Sequence, residues 1–238
     1  MKGPYGFEPN EHCQSCKRRA SGFFCQLSES ALKDFDEVRS SAAYPEGAVL
    51  FLEKQDPRGV FMLCAGEVKL SISSSGGKTL ILRIAKAGEV LGLMSTLAGV
   101  PYEVSAETIR PCQVAYIRRD DFLRFLAKHP DVYQSVVRQM TSLYQGACTQ
   151  LRTVGLSSSA PEKLARLLLD WSAGAKRTEQ GIQVKMPLTH EEIAALIGTT
   201  RETVTRTLSQ FKSQHLVALH GSSLLISNRP ALESIGAD

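Results

Sequence analysis

Leu188-Thr189-His190-Glu191-Glu192-Ile193-Ala194-Ala195-Leu196-Ile197-Gly198 is a short amphipathic stretch whose punctuation decides how the chain reads. Thr189 offers a side-chain acceptor at its start, and Glu192 follows three residues on, the spacing of a capping box. Gly198 stops the helix. Thr199 or Thr200 opens a second one over 201–212. A capped helix, a tight glycine turn and a second helix predict a helix-turn-helix. Ile193, Ala194, Ile197, Val204 and Leu208 supply the faces that pack the pair together, and the small Ala194 permits close approach. The other face of the second helix carries Thr200, Arg201, Glu202, Thr205 and Arg206, with Thr189 at the cap of the first. Arginine can pair bidentately with guanine, glutamate can accept from cytosine N4, and threonine can meet a phosphate or a thymine methyl. The same residues could form an ordinary solvated surface, with Glu202 and Arg206 as an i,i+4 pair. The two-helix pattern favours DNA contact.

Around this motif the residues form a small helical domain with a hairpin. Residues 162–173 read as a helix and 183–186 as a short strand. Residues 216–219 and 223–226 form a strand pair that turns at 220–222 and closes the chain. The Ser-rich 155–161 marks a boundary. Upstream, 120–154 is helical with one interruption at His129-Pro130. Val136, Met140, Leu143, Ala147, Leu151 and Val154 succeed one another at three- and four-residue steps. Such a seam suits a dimer helix or a helix packed on its own domain, and its length favours the dimer. Further back, 48–52, 60–64, 68–73, 79–84, 90–91, 104–108 and 113–117 are short β-like runs between glycine and proline breakers, with a hairpin tip at Gly76-Gly77. This spacing predicts an antiparallel barrel or sandwich. A helix over 29–38, capped by Ser28, precedes it.

The chain has 238 residues, 43% of them hydrophobic and 22% charged, with a net charge of +4. That composition suits a globular protein and excludes disorder as the main state. No apolar run approaches a membrane span, and residues 1–10 lack a signal-peptide pattern, so a cytoplasmic location with reduced cysteines is expected. Cys13, Cys16 and Cys25 fall within thirteen residues. Three readings compete: a structural zinc site, an iron–sulfur cluster and a Cys-x-x-Cys redox pair. The bland alternative is a frayed terminus with incidental cysteines. Lys17, Arg18 and Arg19 between Cys16 and Cys25 would favour thiolates. A metal needs a fourth ligand, from His12 or a distant cysteine. Cys64 and Cys148 read as small buried hydrophobes. No nucleophile–base arrangement or nucleotide-binding glycine loop stands out, so an enzyme is not expected; a Cys-x-x-Cys redox enzyme is the remote alternative.

Thr189-His190-Glu191-Glu192-Ile193-Ala194, with Arg201-Glu202-Thr203-Val204-Thr205-Arg206-Thr207-Leu208, resembles the recognition motif of the Crp/Fnr regulators. The resemblance covers nearly the whole chain. It implies an α+β fold: a cysteine-rich segment (1–26), an antiparallel β-roll of the cyclic-nucleotide-binding type (27–130), a long dimerisation helix (131–156) and a winged helix-turn-helix (157–238). It further implies a transcription regulator, a homodimer that docks two recognition helices on a two-fold symmetric site in double-stranded DNA, with RNA polymerase as a partner. Lys163, Lys185 and Lys212 would position it on phosphates or be solvated.

Within the family, His12-Cys13-Gln14-Ser15-Cys16 and Cys25 resemble the N-terminal cluster ligands of the Fnr branch. Glu107-Thr108-Ile109-Arg110-Pro111-Cys112-Gln113-Val114 matches the segment that carries their fourth cysteine. The resemblance thus implies an oxygen-labile [4Fe–4S] cluster on Cys13, Cys16, Cys25 and Cys112. The gap from Cys16 to Cys25 is longer than in the best-known members, which leaves zinc or another effector as the alternative. The cyclic-nucleotide branch holds its ligand's sugar and phosphate with Gly-Glu-Leu and with an arginine followed by Ser or Thr. Here those places hold Gly92-Leu93-Met94 and Tyr102-Glu103-Val104, so the acid and the arginine are missing and Glu103 would repel a phosphate. Cyclic AMP is therefore not an expected ligand.

Overall fold

The structure is a computed structural model that describes residues 4–7, 13, 16, 27–155, 159–173, 175–220 and 223–236. The chain divides into two compact units, Met1–Lys78 with Leu82–Gly146, and Thr79–Ile81 with Ala147–Asp238. No helix among the described residues is long and apolar enough to cross a membrane.

The first unit opens with α1 (Glu29–Val38), where the Ser28 hydroxyl accepts from the Ala31 N–H and Ala31, Leu32 and Phe35 turn inward. The strands follow: β1 (Ser40–Tyr44), β2 (Val49–Phe51), β3 (Gly59–Ala65), β4 (Glu67–Ser73), β5 (Thr79–Lys86) and β6 (Val90–Leu91). After α2 (Leu93–Ala98) come β7 (Ser105–Thr108), β8 (Cys112–Arg118), α3 (Arg119–Lys128) and α4 (Val132–Gly155). They form two four-stranded sheets, β1-β8-β3-β6 and β2-β7-β4-β5. Every predicted run in this unit overlaps a strand, although Ala48, Leu52 and Val104 fall outside β2 and β7. β1 was not anticipated, because its Ser-Ser-Ala-Ala-Tyr has no apolar alternation; it pairs along β8 from Ser40↔Tyr116 to Tyr44↔Cys112.

The first sheet has two loaded faces, since successive strand residues point to opposite sides. Phe61 and Leu63 of β3, Leu91 of β6, and Cys112 and Val114 of β8 join Phe51, Val68, Leu70 and Ala106 in the interior of the roll. Val60 and Met62 of β3, Val90 of β6, and Ala115 and Ile117 of β8 face the other way. They meet Leu32 and Phe35 of α1, Phe122, Phe125 and Leu126 of α3, and Val132 and Val136 of α4. The sheet is thus a wall between a roll interior and a helical layer.

In the second unit α5 (Ala160–Ser172), capped by the Ser159 hydroxyl, buries Leu164, Ala165 and Leu168. It is followed by β9 (Lys176–Thr178), β10 (Gly181–Lys185), α6 (His190–Ile197), α7 (Arg201–Ser213), β11 (Val217–His220), β12 (Ser223–Ile226) and α8 (Arg229–Gly236). The strands form one sheet in the order β11-β12-β10-β9. The expected terminal hairpin is present, Val217↔Ile226 to His220↔Ser223. It does not close the chain: α8 follows, started by Asn228, whose Oδ1 accepts from the Ala231 N–H at 3.1 Å. Asn228 with Pro230 was the overlooked start signal.

Candidate nucleic-acid interface and thiol sites

The capping box predicted at Thr189 is formed. Thr189 Oγ1 accepts from the Glu192 N–H at 3.2 Å, and Glu192 Oε2 accepts from the Thr189 N–H at 2.9 Å. Gly198 ends α6 in the left-handed region, at φ 67°, which favours glycine. A Cβ there would also meet Val154 Cγ1 at 3.0 Å. The Thr200 hydroxyl caps α7 through the Thr203 N–H at 3.3 Å. Val204, Thr207, Leu208 and Phe211 of α7 are buried, as are Ile193, Ala194, Leu196 and Ile197 of α6. This packing fixes the rotation of α7, so Arg201, Glu202, Thr205, Arg206, Ser209 and Gln210 are exposed.

All the predicted contact residues on α7 therefore share its outer face. Glu202 is held below the usual carboxylate range by its own backbone N–H at the helix start and by the Thr200 hydroxyl, so it presents a charge. The alternative pairing of Glu202 with Arg206 is not formed; among the described residues no carboxylate pairs with Arg206. Sequence reasoning missed His190. Its Nδ1 lies 2.9 Å from Thr205 Oγ1, and that hydroxyl donates its one proton to Arg201 O at 3.0 Å. Lys163, a phosphate-contact candidate, is occupied: its Nζ donates to Val154 O at 2.8 Å.

Along α4 the predicted seam splits. Val136 is 3% exposed in the core of its own unit, and Leu143 and Val154 are half-buried, so three of the six seam residues belong to an inward stripe. Met140, Ala147 and Leu151 face outward with Tyr133, Val137 and Tyr144. Tyr144 is 73% and Leu151 71% exposed. Three-and-four spacing describes both stripes equally well, and only the sheet packed on one side chooses between them.

The roll's end near the expected nucleotide site is filled by its own rings. Tyr102 stacks on Phe51 with centroids 4.1 Å apart, and its hydroxyl donates to Gly59 O at 2.8 Å. Glu103 accepts from the Ser95 hydroxyl at 2.7 Å.

Cys13 and Cys112 are separated. Cys25 and His12 lie outside the described residues. Cys13 rests against the helical layer, its N–H donating to both oxygens of Asp36 at 3.1 and 2.9 Å. Asp36 in turn pairs with Arg39 Nε at 2.6 Å. Burial pushes the Cys13 thiol up to about 12. Cys112 sits in the roll interior, 0% exposed, with its thiol donating to Arg110 O at 3.1 Å and Glu67 O at 3.4 Å. Burial raises its pKa as well. Among the described residues no three His, Cys, Asp or Glu side chains converge to hold a metal ion. Of the implied cluster ligands, Cys13 and Cys112 lie on opposite faces of one sheet, so the described residues do not assemble the four-thiolate set that the resemblance implies.

Capped α6, the glycine turn, α7 and the small sheet define a winged helix-turn-helix DNA-binding protein. Residues 162–235 match the family described as a Crp-like helix-turn-helix domain, and residues 42–129 the cyclic nucleotide-binding domain. With both domains in this order, the chain belongs to the Crp/Fnr transcription regulators, which are not enzymes. It is 26% identical over 213 residues to the CRP-like cAMP-activated global transcriptional regulator of Mycobacterium tuberculosis, covering 89% of this chain and 95% of that one. It is 25% identical over 237 residues to the nitrogen fixation regulation protein FixK of Bradyrhizobium diazoefficiens, covering 97% and 96%. The solved structure of FixK2 from Bradyrhizobium japonicum superposes with a TM-score of 0.73 at 22% identity, over 84% of this chain and 98% of that one. Regulators with such a helix-turn-helix bind DNA and commonly act as dimers.

Proposed function

We propose that this protein is a signal-responsive regulator that reads a two-fold symmetric operator with Arg201, Glu202, Thr205 and Arg206 of α7, one helix from each of two copies. The observation that carries it is the polar edge of α7, held outward by a capped, close-packed frame with Arg206 unpaired among described carboxylates. Arg201 and Arg206 can each fork onto a guanine, and the ionised Glu202 can accept from cytosine N4. Thr189 and Thr200 cap the two helices, whose N-terminal N–H groups attract phosphate. The outward stripe of α4 is the surface a second copy would cover, and the family resemblance points to RNA polymerase as the further partner. Arg206→Ala is expected to lose about 1–3 kcal/mol of specific binding and to relax one base position. Selection from random duplexes checks this; a variant that selects the wild-type sequence with wild-type strength removes the role.

The signal enters at the N-terminal thiols. Cys13, Cys16 and Cys25 support a thiolate-bound metal, with a [4Fe–4S] cluster as the expected cofactor and zinc as the alternative. Bound there, an iron–sulfur cluster supplies an oxygen-labile group. The chain's own part is to pin Cys13 to α1 through Asp36 and Arg39. The M. tuberculosis relative's name describes it as cAMP-activated. Here Tyr102 occupies the roll interior and Glu103 opposes a phosphate, so a different signal is favoured. Protein purified without oxygen should be brown, contain iron and sulfide, and bleach in air with loss of DNA binding. Colourless protein with about one zinc per chain favours the zinc reading, because structural zinc sites hold one ion on four ligands.

A further inference from the structure

The last turns of α4 belong to the same compact unit as the helix-turn-helix. Their inward edge is Gln150 and Val154, both half-buried, while Ala147 and Leu151 face outward. A helix leaves its last four carbonyls without partners of its own, and buried ones need a donor from elsewhere. Leu196 O is such a carbonyl at the end of α6, on a buried residue. Gln150 Nε2 donates to it at 2.7 Å. The same amide nitrogen carries a second proton and reaches Ile81 O, in the same unit, at 3.4 Å. Two residues past Leu196, the Gly198 turn lies against Val154. Val154 O, an end carbonyl of α4, is taken in turn by Lys163 Nζ of α5 at 2.8 Å. Side-chain donors thus link α5 to the end of α4, and α4 to the end of α6.

Glutamine serves α4 in the same way in the first unit. Gln139 Nε2 donates to Val90 O at 2.6 Å, and its Oε1 accepts from the Val90 N–H at 3.4 Å. Gln139 and Gln150 are eleven residues apart, which sets them about 20° apart around a helix of 3.6 residues per turn. One face of α4 therefore carries a glutamine clasp within each unit. The clasp at Gln150 falls where base reading is most sensitive to placement. Thr200, the cap of α7, is two residues past Gly198, so whatever holds the Gly198 turn holds the start of α7.

We propose that Gln150 is a positioning residue for DNA reading: its hydrogen bond to Leu196 O ties the Gly198 turn, and with it the start of α7, to the last turns of α4. The proposal rests on the reading that α7 meets base edges. A second copy covering Leu151 would hold the same turns of α4 from outside, so pairing and base reading meet in one short stretch of helix.

The test uses the full-length protein purified without oxygen, as wild type, Gln150→Met and Gln150→Lys. Methionine keeps the length and removes the donor, and lysine restores a donor. The probe is the duplex that the wild type selects from random sequences, with a scrambled duplex of equal length beside it at the same salt. Gln150→Met should lower the ratio of the two affinities about two- to tenfold, the worth of one hydrogen bond. The scrambled duplex should bind as before, since phosphate contacts carry no sequence information. Gln150→Lys should keep the wild-type ratio, because its added charge acts on both duplexes alike. Hydrogen exchange gives a second readout: the Gly198 and Thr199 amides, which both donate to Ala194 O, should exchange faster in Gln150→Met alone. An unchanged ratio in Gln150→Met overturns the proposal even if the melting temperature falls, for Gln150 then only stabilises its unit. Loss of the ratio in both variants overturns it too, because a restored donor makes no difference. A wild type that selects no duplex overturns the DNA reading and the proposal with it.

Discussion

Asp34 is the residue that ties the two ends of the helical layer together. From α1 its Oδ2 lies 2.6 Å from Lys128 Nζ at the end of α3, and 2.6 Å from Nε2 of the buried His129. Hydrogen bonds from Lys128, then from His129, hold its pKa below the ordinary 3.8. A carboxylate whose folded pKa is depressed contributes stability above its unfolded value and loses it as pH falls through the folded one. Stability should therefore decline as pH drops below 3.8, part of that slope being due to Asp34. Asp34→Asn should flatten the acid limb of a plot of urea midpoint against pH, and an unchanged slope would show that the contact carries no linkage. None of this was legible in the sequence. His129 and Pro130 marked a break between helices, but their partner lies 95 residues away. His190 was hidden for the same reason: its contact with Thr205 crosses a turn, and no local pattern announces it.

Elements whose ends carry their own chemistry were read closely. α1 runs over the predicted 29–38, and α6 begins and ends where Thr189 and Gly198 say it must. Most of the elements missed have no local signature: β1 with its small residues, β9 (Lys-Arg-Thr) at a sheet edge, and the short α2; α8 was missed although Asn228 and Pro230 announce its start. For α4 the helix was legible and its facing was not, because Val136 and Val137 sit in adjacent positions yet belong to opposite stripes. The glycine turn offers the sharpest test at this scale. Gly198→Ala places a side chain in the left-handed region and pushes a Cβ toward Val154. The backbone alone should cost about 1–2 kcal/mol. Thermal unfolding measures it, and a variant as stable as the wild type would mean that the turn relaxes into another conformation.

For the whole molecule, the outward stripe of α4 sets the expected assembly. Tyr144→Glu combined with Leu151→Glu places two charges on the most exposed apolar positions of α4, so if the wild type assembles through this stripe as proposed, sedimentation should find the variant as monomers. Operator affinity should fall with it, since each half-site is then bound alone. Val136→Ala acts from the inward stripe and should lower the melting temperature without changing the oligomeric state. A charged double variant that still sediments as a dimer would move the interface off this stripe. The wall formed by β1, β8, β3 and β6 has its own consequence. Its strands supply side chains to the roll interior and the helical layer alike, so neither core has a private scaffold. Melting the helices would strip one side of strands whose other side holds the roll together. The first unit should therefore lose both cores in a single cooperative step, with no intermediate in which a folded roll outlives its helices.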